Sequence, residues 1–111
     1  MQFKFPKNDY KYEWTQHVQD KMRYYGISES LIKRITRFPK RKEEGIAPGT
    51  VAVMKPNTNP KKPTEIWVMF KQMGDVKKRI ILAWRYPGVS PIGRKIPIPD
   101  EILQELQNMI E

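Results

Sequence analysis

The sequence contains no cysteine and only one histidine, His17. Disulfides and thiolate metal sites are therefore excluded, and a single imidazole cannot build a structural zinc site. No apolar run approaches the roughly 20 residues needed to cross a bilayer. The opening MQFKFPKNDYKYEW is positively charged but has no apolar stretch, so it does not read as a signal peptide. These absences lead to the expectation of a cytoplasmic protein with no membrane partner. The phosphate-cradling GxxxxGK(S/T) loop is missing, and so is the Gly-x-Ser-x-Gly elbow of serine hydrolases. The only adjacent acids, Glu43-Glu44 and Asp100-Glu101, sit where an edge strand and a helix start are expected, not as pairs for two-metal chemistry. The expectation is of a protein with no metal and no cofactor.

Acidic residues are also scarce, and their placement matters more than their number. The chain of 111 residues has 21 Lys and Arg against 12 Asp and Glu, a formal net charge of +9. All 21 cations lie within 4–95, whereas Asp100, Glu101, Glu105 and Glu111 fall in the last twelve residues. Residues 1–99 therefore set 21 cations against 8 acids, a net of +13. A field of that size draws in polyanions and speeds their association. Nucleic acid is the commonest such partner, held through phosphate contacts and counterion release. The competing reading is that the charge serves only solubility.

The length fits one domain, 1–111. Residues 1–11 mix Lys with Phe3, Phe5 and Tyr10, and Pro6 disfavours a helix, so an N-terminal arm or short edge strand is expected. Trp14, Val18, Met22 and Tyr25 form one apolar stripe, predicting a helix over 13–25 that Gly26 ends. Ser28 caps a second helix with Leu31, Ile32, Ile35 and Phe38 as its buried face, stopped by Pro39. A polar edge strand over 41–46, a turn at Ala47-Pro48-Gly49 and a strand over Thr50–Lys55 follow. The proline-rich 56–63 is a loop. Strands Thr64–Gln72 and Val76–Tyr86, joined by Met73-Gly74-Asp75, read as an antiparallel hairpin. Residues 87–99 (PGVSPIGRKIPIP) are expected to be an extended connection. A terminal helix over 100–111 carries the stripe Ile102, Leu103, Leu106, Met109 and Ile110. The predicted class is α+β: two N-terminal helices, a twisted antiparallel sheet of three to four strands, and a C-terminal helix, the helices lying on one face.

Two groups of residues stand out for chemistry. His17 and Lys21 are four apart and neighbours on one helix flank; a nearby cation would keep the imidazole neutral and ready as a base. Strict alternation along 76–86 would put Arg79, Ile81, Ala83 and Arg85 on one face, and Lys78, Ile80, Leu82, Trp84 and Tyr86 on the other. Metal-free cleavage of a phosphodiester needs a base, cations near the non-bridging oxygens and an acid. The candidates are His17 or Glu65 as base, Lys21, Arg79 and Arg85 as cations, and Tyr86 or His17 as acid. The second group is the basic run Lys33, Arg34, Arg37, Lys40, Arg41 and Lys42, extended by Lys61 and Lys62, which suits phosphate contacts. A solvated charged face is the plain alternative.

The run from His17 through Lys21-Met22-Arg23 to Gly26-Ile27-Ser28-Glu29 resembles the "His-Ala-x-x-Arg-Met-x-x-Arg-x-Ile-Ser" opening of a family of small bacterial proteins of unknown function. Those proteins continue with a helix ending at a proline, here Phe38-Pro39, and a small sheet. They are similar in layout to the BrnT and RelE ribonuclease toxins, and Arg79-Ile-Ile-Leu-Ala-Trp-Arg85 resembles the BrnT strand "Arg-Ile-Ile-Ser-Ala-Arg". Val18 stands where the family has Ala, Lys21 where it has Arg, and the tail from Pro87 has no counterpart in the pattern. The resemblance, over about residues 14–86, implies a RelE/BrnT-like fold and the class of a toxin-like endoribonuclease. Three functional readings follow: a metal-independent endoribonuclease, a non-catalytic RNA- or DNA-binding module with RNA the favoured ligand, and one half of a toxin–antitoxin-like pair meeting an acidic protein.

Overall fold

The computed structural model describes residues 4–57, 61–91, 93 and 95–110, the side chains of 109 and 110 excepted. In chain order its elements are β1 (Tyr12–Trp14), α1 (Gln16–Tyr25), α2 (Glu29–Arg37), β2 (Arg41–Glu44), β3 (Thr50–Asn57), β4 (Thr64–Met73), β5 (Lys77–Pro87) and α3 (Asp100–Ile110). The class is α+β, as expected. The sheet differs from expectation. Its order is β1-β5-β4-β3-β2, five strands instead of three or four. It is mixed, because β1 pairs parallel to β5 while every other pairing is antiparallel.

Strand β1 corrects the expected start of the first helix. Trp14 fits the helical stripe by spacing, yet it lies in β1 with Tyr12, both buried in the core. Thr15 sets the boundary. Its extended backbone makes it the N-cap, and its hydroxyl oxygen accepts from Val18 N at 3.1 Å. The same hydroxyl donates toward the carbonyls of Ile80 and Ile81, at 3.2 and 3.1 Å, tying the helix start to β5. Asn8 and Asp9 prepare the strand: their side-chain oxygens accept from Trp14 N, and from Lys11 N and Tyr12 N. Those backbone donors favour the ionised form and hold Asp9 below the usual carboxylate value. Gly26 ends α1 in the left-handed conformation, φ 68°, which suits a residue without Cβ.

The helices do not share one face, contrary to expectation. The first core joins Val18 and Met22 of α1 and Ile27, Ile32 and Ile35 around α2 to Val53, Ile66, Val68, Phe70, Ile80 and Ala83. The second core, on the reverse of the sheet, joins Ala52, Met54, Trp67, Met69, Leu82 and Trp84 to Ile102 and Leu106 of α3. Both strand faces are apolar through β4, so each needs a cover, and α2 and α3 supply one each. Tyr25 packs against both cores. Trp67 and Trp84 stack at 5.9 Å between centroids with their planes 5° apart. Trp84 Nε1 donates to Pro97 O at 2.8 Å, which fastens the extended connection over this face.

Strict alternation along β5 also fails. Met69 faces Leu82 but Phe70 faces Ile80, so Ile81 has no opposite residue and the strand carries a bulge there. The bulge reverses the parity of everything before it. Lys78, Ile80, Ala83 and Arg85 now lie on the first-core side, and Arg79, Leu82, Trp84 and Tyr86 on the second. Three smaller corrections concern boundaries: β2 ends at Glu44 instead of 46, β3 runs on to Asn57, and β5 begins at Lys77. β5 runs through Pro87, the rest of the expected connection, 88–99, has no helix or strand in its described residues, and α3 starts at Asp100 as expected. Parts of several expected segments (residues 1–3 of the arm, 58–60 of the loop, Ile92, Arg94, and Glu111) lie outside the described residues, as do the Met109 and Ile110 side chains. No described helix is long and apolar enough to cross a membrane.

Candidate nucleic-acid interface

Helix α2 delivers the basic run to the surface. Ser28 caps it, accepting from Leu31 N at 3.2 Å, and its apolar positions Ile32 and Ile35 are buried. The polar positions Arg34 and Arg37 therefore point outward in the last turn, where the negative end of the helix dipole favours cations. Phe38 breaks the pattern. It follows Ile35 at the right spacing to be buried, but at the C-cap its backbone leaves the helix, at φ −133° and ψ 64°, and its ring is 73% exposed. This overturns the expected buried role of Phe38. Lys40 N then donates to Met54 O at 2.8 Å, which brings the run onto the sheet beside β3.

The basic run divides into exposed and inward-facing members. Arg34, Arg37, Lys40 and Lys42 are exposed, and no carboxylate pairs with them among the described residues. Lys61 and Lys62 are exposed beyond the end of β3. Lys55 of β3 joins this surface; the alternating strand TVAVMK marks it as polar, but its place beside Lys40 depends on the fold. Lys33 faces inward instead, pairing with Glu29 at 3.1 Å and standing 5.1 Å over the Tyr12 ring. Arg41 is also inward. Its Nη1 donates to Ser90 Oγ at 2.8 Å, its Nη2 to Glu43 at 3.1 Å, and its guanidinium lies 5.2 Å over the Trp67 ring.

The proposed catalytic residues are dispersed. His17 and Lys21 do stand together, with a third partner: Glu105 of α3. His17 Nε2 lies 3.3 Å from Glu105 Oε2 in a geometry short of a hydrogen bond, and Lys21 Nζ lies 3.1 Å from the same oxygen. Burial pushes His17 below the ordinary imidazole value; Glu105 and Asp20 oppose that shift and Lys21 adds to it. Arg79 is bound to Glu13 of β1, and its hydrogen bond holds the Glu13 carboxyl below its usual value. Arg85, on the opposite face, donates to Tyr25 O at 2.8 Å and Gly26 O at 3.3 Å, satisfying the carbonyls at the end of α1.

Glu65 and Tyr86 are cross-strand partners, and Tyr86 is half-buried on the second core. Glu65 is 2% exposed. Its Oε1 accepts from Ser90 Oγ at 2.6 Å and Trp67 Nε1 at 3.1 Å, and its Oε2 accepts from Ser90 N at 3.1 Å. This carboxylate anchors the connection after β5 and does not face solvent. Sequence reasoning missed Ser90 and Glu105 because each meets its partner only through tertiary packing. Separately, Glu43, Glu44, Ile46, Lys95, Ile98 and Leu103 line an open groove of about 790 Å³ beside the end of β2. None of the candidate catalytic or nucleic-acid-binding residues borders it. Among the described residues, no group of three or more His, Asp or Glu is placed to hold a metal ion.

The geometry thus defines an α+β domain with a basic, aromatic-bearing ridge, and among the described residues the candidate catalytic side chains, the His17–Lys21 and Glu65–Tyr86 pairs aside, are not brought into one site. Comparison with protein-family models, curated proteins and solved structures gives no match to this chain.

Proposed function

We infer that the protein is a non-catalytic nucleic-acid-binding module that takes single-stranded RNA on the ridge formed by the end of α2, β2 and the adjoining end of β3. One observation carries this reading: Phe38, 73% exposed, stands among Arg34, Arg37 and Lys40, which have no carboxylate partner among the described residues. Leaving a phenyl ring in water forgoes the stabilisation of burying it. Cations around such a ring are what a strand needs, because phosphates neutralise the charge while a base stacks on the ring. The two arginines suit planar, two-pronged phosphate contacts. A duplex offers no unstacked base to the ring, which is why a single strand fits better.

The RNA partner class is retained from the toxin resemblance, but cleavage is not. Each Arg proposed for transition-state charge is occupied by a structural contact, and Glu65 is enclosed. Fluorescence anisotropy with single-stranded RNA, single-stranded DNA and duplex tests the reading. Wild type should bind the single strands, RNA best, and Phe38→Ala should weaken binding by about 1–3 kcal/mol. Equal binding of wild type and Phe38→Ala, or a preference for duplex, would overturn it. Cleavage of RNA in the presence of EDTA would instead restore the nuclease reading. Binding of an acidic protein but no nucleic acid would favour the antitoxin-like partner.

A further inference from the structure

The two faces of the sheet carry opposite charge at their covers. The second face is covered by α3, whose Asp100 and Glu101 are exposed and whose Glu105 already holds Lys21. These exposed acids disfavour a polyanion there. The first face is covered by α2, and from its basic end a connected series of groups leads to the far end of the sheet. Lys33, one turn back from Arg37, lies over the Tyr12 ring. Tyr12 pairs in register with Lys78, and Lys78 N donates to Lys11 O at 2.8 Å. At this end Lys78 faces the α2 side, 5.8 Å over the Phe70 ring, and Lys11 is exposed, while Lys71 and Lys77 flank the β4–β5 turn on the other side of the sheet. Here a second aromatic stands in solvent: Tyr10, 74% exposed, with Lys11 Nζ 5.5 Å from its ring centroid.

We propose that Tyr10 is a second stacking position for the same strand, which crosses the α2 face from Phe38 to Tyr10. The inference rests on the single-strand reading above and adds the direction and extent of the path. The registers set the scale: Arg41 lies level with Trp67 and Tyr12 with Gln72, about 17 Å apart along β4, and the edge strands β2 and β1 lie about 19 Å apart across the sheet. At roughly 3.4 Å per nucleotide of stacked strand, the diagonal of about 25 Å takes about seven nucleotides. Of the acids near the path, Glu29 is engaged with Lys33, Asp9 with two backbone N–H groups and Glu13 with Arg79, while Glu44 and Asp75 are exposed at its two ends.

The test is a length series of single-stranded RNAs, about 4 and about 12 nucleotides long, spanning the usual range of such sites, bound to wild type, Tyr10→Ala and Tyr24→Ala. Tyr24 is the control, as exposed as Tyr10 at 74% but over Lys21 on the flank next to α3. Tyr10→Ala should lower affinity for the long strand by about 5- to 100-fold and leave the short strand nearly unchanged, since Phe38 retains it. Tyr24→Ala should match wild type on both, and all three proteins should share one melting temperature. An unchanged long-strand affinity in Tyr10→Ala, or an equal loss in Tyr24→Ala, overturns the path while leaving the Phe38 ridge standing. Absence of all binding by wild type overturns the underlying reading instead.

Discussion

Replacing Glu65 separates a structural role from a catalytic one. Glu65→Ala leaves three buried donors without their acceptor: the Trp67 indole N–H, the Ser90 N–H and the Ser90 hydroxyl. A buried donor left unsatisfied costs about 1–3 kcal/mol. Water entering the space, and relief of the desolvation of a buried carboxylate, both argue for the lower end. About 3 kcal/mol in total is expected, and in a domain of this size that lowers Tm by roughly 10 °C or more. Glu65→Gln keeps the shape and one acceptor oxygen and should cost about half as much. Because the hydroxyl of Ser90 is one of the partners, Ser90→Ala and Glu65→Ala should be non-additive by about 0.5–3 kcal/mol. Calorimetry or thermal circular dichroism on wild type, the three single variants and the Glu65→Ala/Ser90→Ala double variant reads this directly. An unchanged Tm in Glu65→Ala would falsify the anchoring role, and RNA cleavage abolished by Glu65→Gln at constant Tm would return Glu65 to a general base.

Other outcomes follow from the same geometry. Leu106→Ala empties a fully buried site under α3 and should cost about 2–5 kcal/mol in chemical denaturation; no change in midpoint would show that α3 does not seal the second core. Gly26→Ala should destabilise by about 1 kcal/mol, because a Cβ is strained at φ 68° although nothing lies within 4 Å to clash with it. His17 gives a pH signature. Its folded value is lowered, mainly by burial, so on acidification the unfolded chain takes up the proton first, below about 6.5. Stability should therefore fall as pH drops from about 6.5 toward the lowered folded value, and His17→Gln should remove that part of the slope; identical Tm–pH curves for the two proteins contradict it.

The elements were largely legible from local pattern, and the misses have specific causes. Ser28, Gly26 and the Ile32/Ile35 spacing mark both ends and the buried side of α2 by capping and periodicity alone. Alternation could not reveal the bulge at Ile81, because both faces of β5 are apolar there and a one-residue shift exchanges one buried face for another. That single residue separates Arg79 from Arg85 and undoes the predicted catalytic cluster. Trp14 satisfies a helical stripe and a strand equally well, and it is the cap geometry of Thr15 that assigns it to β1. Phe38 fits the stripe by spacing, but the residue before a proline is driven from helical backbone, and its ring turns outward with it. The exposed cations of the ridge were visible as a run, whereas the inward turn of Arg41 depends on Ser90, 49 positions away.

The ridge at the end of α2 is proposed to bind nucleic acid through phosphates. Its most direct test is the salt dependence of RNA binding by wild type and by a variant with Arg34, Arg37, Lys40 and Lys42 all changed to Gln. These four side chains make no ion pair among the described residues, so the variant should fold, with Tm lowered only by loss of the Arg34 and Arg37 charges at the end of α2. If each neutralises one phosphate, the slope of log K against log salt should become less steep by about 2.8, at roughly 0.7 per contact on a single strand. A variant that keeps the wild-type affinity and slope would contradict the account.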